Sequence, residues 1–301
     1  AMAGLALTYL PEKSKNPYFL KFLASAYNSL ETESFDILGF YRLSQIETSL
    51  GAENAGEEIA VLGVGTQHNY ARNRLNSNII NFQHKGGYEY QLSQNGSRSH
   101  FIQWSAKVQE EIIQDNLKEW ERLDSAGYSI PFSEQAVTLQ EYIRSSNDIS
   151  TTRISGSLQN TYTLQGTDHE LRLNAGLRAS YWTFNNEYFV TPRMQALYKP
   201  LNWKRNMSFK LASGYYFQPA FYRELRRLDG SINENIRAQK SAHVVAGLTY
   251  DFMWKKVSKK PFKMISEVYY KQLWDMVSFD IDNVRIRYSG ENDSRGYVIG
   301  W

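Results

Sequence analysis

Side chains able to do chemistry are few and scattered along this 301-residue chain. The five histidines are His68, His84, His100, His169 and His243. None forms the helical His-Glu-x-x-His pair that would put two imidazoles on one zinc ion. His169-Glu170 runs straight into the alternating Leu171-Arg172-Leu173, so a second ligand is missing. Gly63-Val64-Gly65 lacks the third glycine of a dinucleotide-binding turn, and neither a Gly-x-Ser-x-Gly elbow nor a phosphate loop occurs. The chain has no cysteine. That excludes thiolate metal sites, iron–sulfur clusters, cysteine nucleophiles and disulfide scaffolds. The residues therefore point away from an enzyme, and they name no catalytic residue, metal or cofactor.

Two polar groups remain. Asp280-Ile281-Asp282-Asn283 would put Asp280 and Asp282 on one face of an extended segment, where their oxygens could meet calcium. The twelve-residue calcium loop is absent, and a solvated polar ladder accounts for the same pattern. Arg223, Arg226 and Arg227 crowd into one long polar stretch. Three guanidinium groups there suit anionic ligands or lipopolysaccharide phosphates. A solvated loop set, with Glu224 and Asp229 as neighbours, fits equally. The formal net charge is +3 and no Lys/Arg block occurs, so a nucleic-acid partner is not expected.

The elements that must position these groups are strands. In His243 to Trp254, Val244, Ala246, Leu248, Tyr250, Phe252 and Trp254 alternate with His243, Gly247, Thr249 and Asp251. This is the period-2 signature of a strand with one apolar and one polar face. At about twelve residues it is twice the usual globular length and close to that of a tilted bilayer-crossing strand. The pattern repeats over Ile154 to Leu164 and Leu171 to Tyr181, along Met207, Phe209, Leu211, Tyr215 and Phe217, and along Ile102, Trp104, Ala106 and Val108. About a dozen such strands are expected. Val108 to Leu123 also places Ile112, Ile113, Leu117, Trp120 and Leu123 near helical spacing, so it reads either as a surface helix or as a strand leaving the membrane.

Connections alternate in length. Short turns fall at 94–98, 165–168, 199–204 and 255–260, and long polar segments at 114–135, 218–238 and 276–294. Outer-membrane barrels sort short periplasmic turns from long extracellular loops in this way. Aromatic residues near strand ends (Trp182 and Phe184, Tyr215 to Phe217, Tyr269 and Tyr270) match interfacial girdles. The mean hydropathy of -0.53 suits strands that alternate lipid-facing and lumen-facing residues, and no apolar run of about eighteen residues offers a transmembrane helix. The expected fold is all-β: an antiparallel transmembrane β-barrel segment of long meander strands. A soluble sandwich or lectin-like fold uses the same alternation and stays open as an alternative.

Gly214-Tyr-Tyr-Phe-Gln-Pro-Ala-Phe-Tyr-Arg-Glu-Leu225, Asn235 to His243, Pro261 to Lys263, Glu267 to Lys271, Asp282 to Tyr288 and Gly296-Tyr297 together resemble the barrel of TonB-dependent outer-membrane receptors of Bacteroidetes-type bacteria. Leu20 to Tyr27, Phe35 to Ile37, Gly63 to Thr66, Ala71 to Asn73 and Asp124 to Tyr128 are similar to the same family. The resemblance implies energised uptake of an iron chelate, glycan or peptide across the outer membrane. It implies TonB-complex contact through an N-terminal part, together with lipid, lipopolysaccharide and surface-lipoprotein partners. Residues 4–301 then correspond to part of the barrel, without the plug and the C-terminal strands. Ala1-Met2-Ala3 reads as an expression scar, and the export signal is expected to have been removed. Residues entering extracellular loops are the ligand candidates: Gln218, Tyr222, Arg223 and Glu224, then Asn283, Arg285 and Arg287. Alternation of Val284, Ile286 and Tyr288 against Arg285 and Arg287 turns the arginines to the lumen, where wall salt bridges compete with ligand contact. A small self-contained outer-membrane channel is the other membrane reading.

Overall fold

A computed structural model describes residues 1–11, 17–124, 138–282 and 285–301. Its strands, in chain order, are β1 (Met2–Tyr9), β2 (Tyr18–Ile46), β3 (Glu58–Gln91), β4 (Arg98–Asp124), β5 (Thr138–Gln165), β6 (His169–Trp182), β7 (Glu187–Pro200) and β8 (Asn206–Gln218). One helical turn, α1 (Tyr222–Leu225), precedes β9 (Gln239–Phe252), β10 (Phe262–Met276), β11 (Phe279–Asp282), β12 (Arg285–Tyr288) and β13 (Ser294–Gly300). Eleven strands form one antiparallel sheet in the order β1 to β10 and then β13, while β11 and β12 pair as a separate hairpin. The sheet is open, because β1 and β13 do not pair with each other. Met2 and Ala3, set aside above as a scar, pair with Tyr27 and Ala26 inside it.

Register carries the alternation from strand to strand. Val108 lies opposite Ile154 and Ile154 opposite Tyr181. Trp104, Leu158, Leu177 and Pro192 form a further row, and Leu173, Ala196, Leu211 and Ala246 another. These rows make one continuous apolar face, exposed to its surroundings: Met194 is 65% exposed and Ile299 66%. The opposite face is polar across the same height, with Ser155 opposite Ser180, Ser157 opposite Arg178 and Thr163 opposite Arg172. Side chains alternate sides along a strand, so the two faces follow directly from the sequence pattern.

The connections sort by end, with exceptions. Segments 92–97, 166–168, 201–205 and 253–261 lie at one end, and 47–57, 183–186, 219–238 and 277–293 at the other. The tight 183–186 turn, with Asn186 at φ 56°, breaks the simple rule of long loops at that end.

Strand length differs most from expectation. Strands β2 to β5 run 27 to 34 residues. β5 pairs with β6 only from Arg153 to Gln165, so Thr138 to Thr152 stand about 50 Å beyond the shorter strands. Val108 to Leu123 is strand throughout, so the long segment expected from Gln114 is strand as far as Asp124. Residues 125–137 lie outside the described residues. Glu111, Ile113, Asp115, Leu117 and Glu119 are all buried on one face of β4, whereas Ile112 and Gln114 point away from it. The neighbouring isoleucines thus face opposite ways, which removes the helical reading. The other long segments also hold structure: α1 within 219–238 and the β11–β12 hairpin within 277–293.

These two segments fold back over the tall strands, and the main core lies between them. Ile113, Ile149 and Trp182 from the sheet meet Ala220, Leu225 and Ile236 from one segment and Val277 from the other. Burying a side chain such as Leu225 or Ile236 contributes about 1.5–3 kcal/mol. The half-exposed ion pairs at the rim contribute about 0–1 kcal/mol each. The apolar cluster therefore holds the loops down, and the rim charges orient them.

On the apolar face Gly86 lies opposite Trp104, and a side chain there would overlap the indole. Trp104 Nε1 donates to His84 Nε2 at 3.1 Å in the same place. Gly86→Val should displace the indole and destabilise the protein by about 1–3 kcal/mol, as overpacking does. Chemical denaturation with a tryptophan-fluorescence readout checks this, and an unchanged midpoint with unchanged emission would refute it.

Candidate functional site

The polar face of the tall strands and the folded-back loops enclose a cleft of about 80 Å³. Four acidic side chains line it from the sheet: Glu31 and Glu33 of β2, and Asp115 and Glu119 of β4. Arg223, Arg226, Arg227 and Arg287 line it from the loops. Strand register sets the acidic side, because all four carboxylates occupy alternating positions on the same face.

The arginines meet partners distant in sequence. Arg223 donates to Glu31 at 2.8 Å, and Arg226 lies 3.7 Å from Asp115. Arg227 donates to Glu291 at 2.7 Å, which ties one loop to the other. Arg287 grips Glu141 of β5 with two parallel bonds, 2.9 and 2.8 Å. The sequence neighbours Glu224 and Asp229 are engaged elsewhere. Buried Glu224 accepts the Phe221 backbone N–H at 2.7 Å and so closes the N-terminus of α1. Asp229 accepts the Ser231 hydroxyl and backbone N–H, which hold its carboxyl below the usual range.

Asparagines fasten the loops to one another. Asn233 donates to the Gly290 carbonyl at 2.8 Å and to Glu291 at 3.0 Å. Asn292 donates to the carbonyls of Arg237 and Asp275 and accepts the Arg237 N–H. Asn185, in the 183–186 turn, donates to the Ile236 carbonyl at 2.6 Å. Gly290, at φ +69°, packs so tightly on the Arg226 carbonyl that a side chain would collide with it. A positive φ at this contact leaves room only for glycine.

The ligand candidates fare differently. Gln218 is exposed at the end of β8, opposite Gln239. Arg223 and Arg287 do face the cleft, each in an ion pair with the sheet. Tyr222 packs against the apolar core, and Glu224 is buried. Glu224 therefore offers no free surface to a ligand and Tyr222 only part of its ring, because the helical turn that bears them is pressed onto the sheet. Asn283 lies outside the described residues, as does the side chain of Arg285. Asp280 pairs with Arg287 across the hairpin, and among the described residues no three histidine or carboxylate groups converge as a metal site.

Sequence reasoning missed Asp115. It is 2% exposed, and among the described residues its Oδ2 has no hydrogen-bond partner. The nearby Tyr222 hydroxyl is likewise buried, and among the described residues no hydrogen bond of good geometry reaches it. Burial, together with the Asp115 carboxylate, raises the Tyr222 pKa above the usual phenol range, with Arg226 opposing. A charge buried this deeply needs its counter-ion: removing Arg226 would cost about 3–5 kcal/mol. Only the local strand alternation of Asp115 could have signalled it.

No protein-family model matches the chain, and no curated protein matches it either. The class that the fold and site define is an open antiparallel sheet with one apolar and one polar face, capped at one end by interlocked loops.

Two predictions follow from this geometry. Arg287→Gln should loosen the β11–β12 hairpin by about 1–3 kcal/mol, the worth of charge-assisted hydrogen bonds. Limited proteolysis should then cut within 277–293 faster while the sheet stays intact, and an unchanged cutting rate would count against the bond's role. Tyr222 has a raised folded-state pKa, so only the unfolded chain ionises as pH passes about 10, and stability falls from there upward. Tyr222→Phe should be nearly neutral at pH 7 and should flatten part of that alkaline loss. Unfolding midpoints between about pH 8 and 11 test it.

Proposed function

We propose that this chain forms part of the wall and surface loops of an outer-membrane β-barrel of the TonB-dependent receptor type. It would serve energised uptake of a ligand too large or too scarce for open pores. The observation that carries the reading is the apolar face, continuous over eleven strands and opposed by a polar face at the same height. Leu171 to Tyr181 on β6 spans about 33 Å of strand, or about 25 Å once tilted, the height of a lipid-facing band. A water-soluble monomer rarely exposes an apolar patch beyond a few hundred Å².

On this reading the 166–168 and 201–205 turns face the periplasm and the folded-back loops face outward. The tall parts of β2 to β5 rise beyond the bilayer, where their outward side chains turn polar at Glu110, Gln114, Asn116 and Lys118. The edges of β1 and β13 carry backbone groups that lipid cannot satisfy, so further strands must complete the wall. TonB, the bilayer, lipopolysaccharide and a surface lipoprotein are the partners the reading calls for. Its ligand classes are iron chelates, glycans and peptides. The interlocked loops form the extracellular mouth, and the chain performs no covalent chemistry.

Leu177→Arg tests this in the whole protein that carries the chain. Leu177 lies mid-band on the apolar face and is half exposed. In a bilayer the arginine should cost about 2–4 kcal/mol. Stability would be read from folding into lipid vesicles, and the protein should fractionate with outer membranes. If Leu177→Arg leaves vesicle folding unchanged, or the protein stays soluble without detergent, the reading fails.

A further inference from the structure

Below the loops, on the polar face, a second hollow of about 160 Å³ opens beside the 219–238 segment. Lys107 of β4, Arg153 of β5, Arg178 of β6 and Arg193 of β7 all line it. Four neighbouring strands each contribute one cation, and alternation brings all four to one side. Trp182, Phe189, Phe217 and Pro219 form its upper wall.

The four cations are not equivalent. Arg153 is committed: it lies 3.3 Å from Glu111, and its guanidinium sits 4.5 Å from the Trp182 ring centroid. Its Nε is buried with no hydrogen-bond partner among the described residues. Arg193 lies against a ring, 4.4 Å from the Tyr216 centroid, which fixes its direction but leaves its charge uncompensated. Lys107 donates to the neutral side chain of Gln109. Among the described residues the Arg178 side chain has no hydrogen-bond or ion-pair partner. Among the described residues none of Lys107, Arg178 and Arg193 forms an ion pair.

This contrasts with the cleft above, where all four lining arginines are matched with carboxylates. Among the described residues no carboxylate lines the hollow, and Glu111 beside it is held by Arg153. Like charges gathered without counter-ions repel one another, and the arrangement becomes favourable when an anion enters. Guanidinium forks suit the paired oxygens of phosphate or carboxylate, and the aromatic wall suits an apolar or planar body attached to it.

We propose that Lys107, Arg178 and Arg193 bind the oxyanion group of a small organic ligand, with Arg153 and Trp182 as the fixed roof. Phosphate and carboxylate share this chemistry. The role of the site in uptake rests on the receptor reading, whereas binding itself needs only the polar face and the loops.

The test is calorimetric titration of the whole protein that carries this chain, in mild detergent at low ionic strength, with pyrophosphate and with citrate as separate probes. At least one should bind saturably, and which one distinguishes a phosphate from a carboxylate site. The Arg178→Gln/Arg193→Gln variant should weaken binding about tenfold or more, the value of one or two lost charge-assisted bonds. Lys263→Gln, which removes a cation of the same face outside the hollow, should leave it unchanged. If the double variant fails to fold, Arg178→Gln alone serves, since its side chain has no partner to lose. Absence of binding by either probe overturns the proposal. So does binding that survives the double variant, or equal weakening by Lys263→Gln, which would mark general attraction to a basic surface. A chain that binds the probe yet stays out of membranes would sink the receptor reading and leave this site standing.

Discussion

Everything in this structure depends on strand register. Apolar and polar residues alternate along each strand, so a slip of one residue against a neighbour would throw a whole row to the wrong side. The ladder of Val108, Ile154 and Tyr181, beside that of Ser155 and Ser180, is kept because both faces are chemically committed. The same rule operates above the band with its content changed. There the polar face carries Glu111, Asp115 and Glu119 interleaved with Ile113 and Leu117, and the loops close over them. One periodicity thus produces a wide apolar surface in one zone and a buried, charge-bearing core in the next.

How much of this was legible follows from that change of content. Leu171 to Tyr181 reads as a strand at sight and corresponds to nearly all of β6, because its outward residues are uniformly apolar. Ile154 to Leu164 reads equally well, yet it is only one end of β5, whose other half lacks a uniformly apolar side. β4 became ambiguous where buried carboxylates alternate with exposed isoleucine, asparagine and lysine. Hydropathy cannot distinguish a buried glutamate with a partner from a solvated one. Strand pairing brought the partner within reach, and strand pairing is invisible to local pattern.

The site was less legible still. Arg223 and Arg287 stand out as loop arginines facing inward, and both do line the cleft. Their partners Glu31 and Glu141 lie far away in sequence, so no spacing rule links them. Glu224 looked available because it enters a long polar loop. A single helical turn buries it and gives it a backbone N–H to hold. Folded-back loops exchange charges with the sheet rather than displaying them, and this separates the matched cleft from the unmatched hollow beneath.

The asparagine bonds that join 183–186, 219–238 and 277–293 have a consequence for inheritance. Asn185, Asn233 and Asn292 each donate to backbone carbonyls of another segment, and Gly290 fits against the backbone of its neighbour. Backbone partners tolerate side-chain replacement but not insertion or deletion, which would shift every carbonyl out of place. A change of length in any one segment is therefore harder to accommodate than a change of side chain. A chimera that exchanges one of them alone would import a piece whose attachment points no longer coincide with its host. Diversification of this rim would proceed by coordinated replacement of all three, as one cassette.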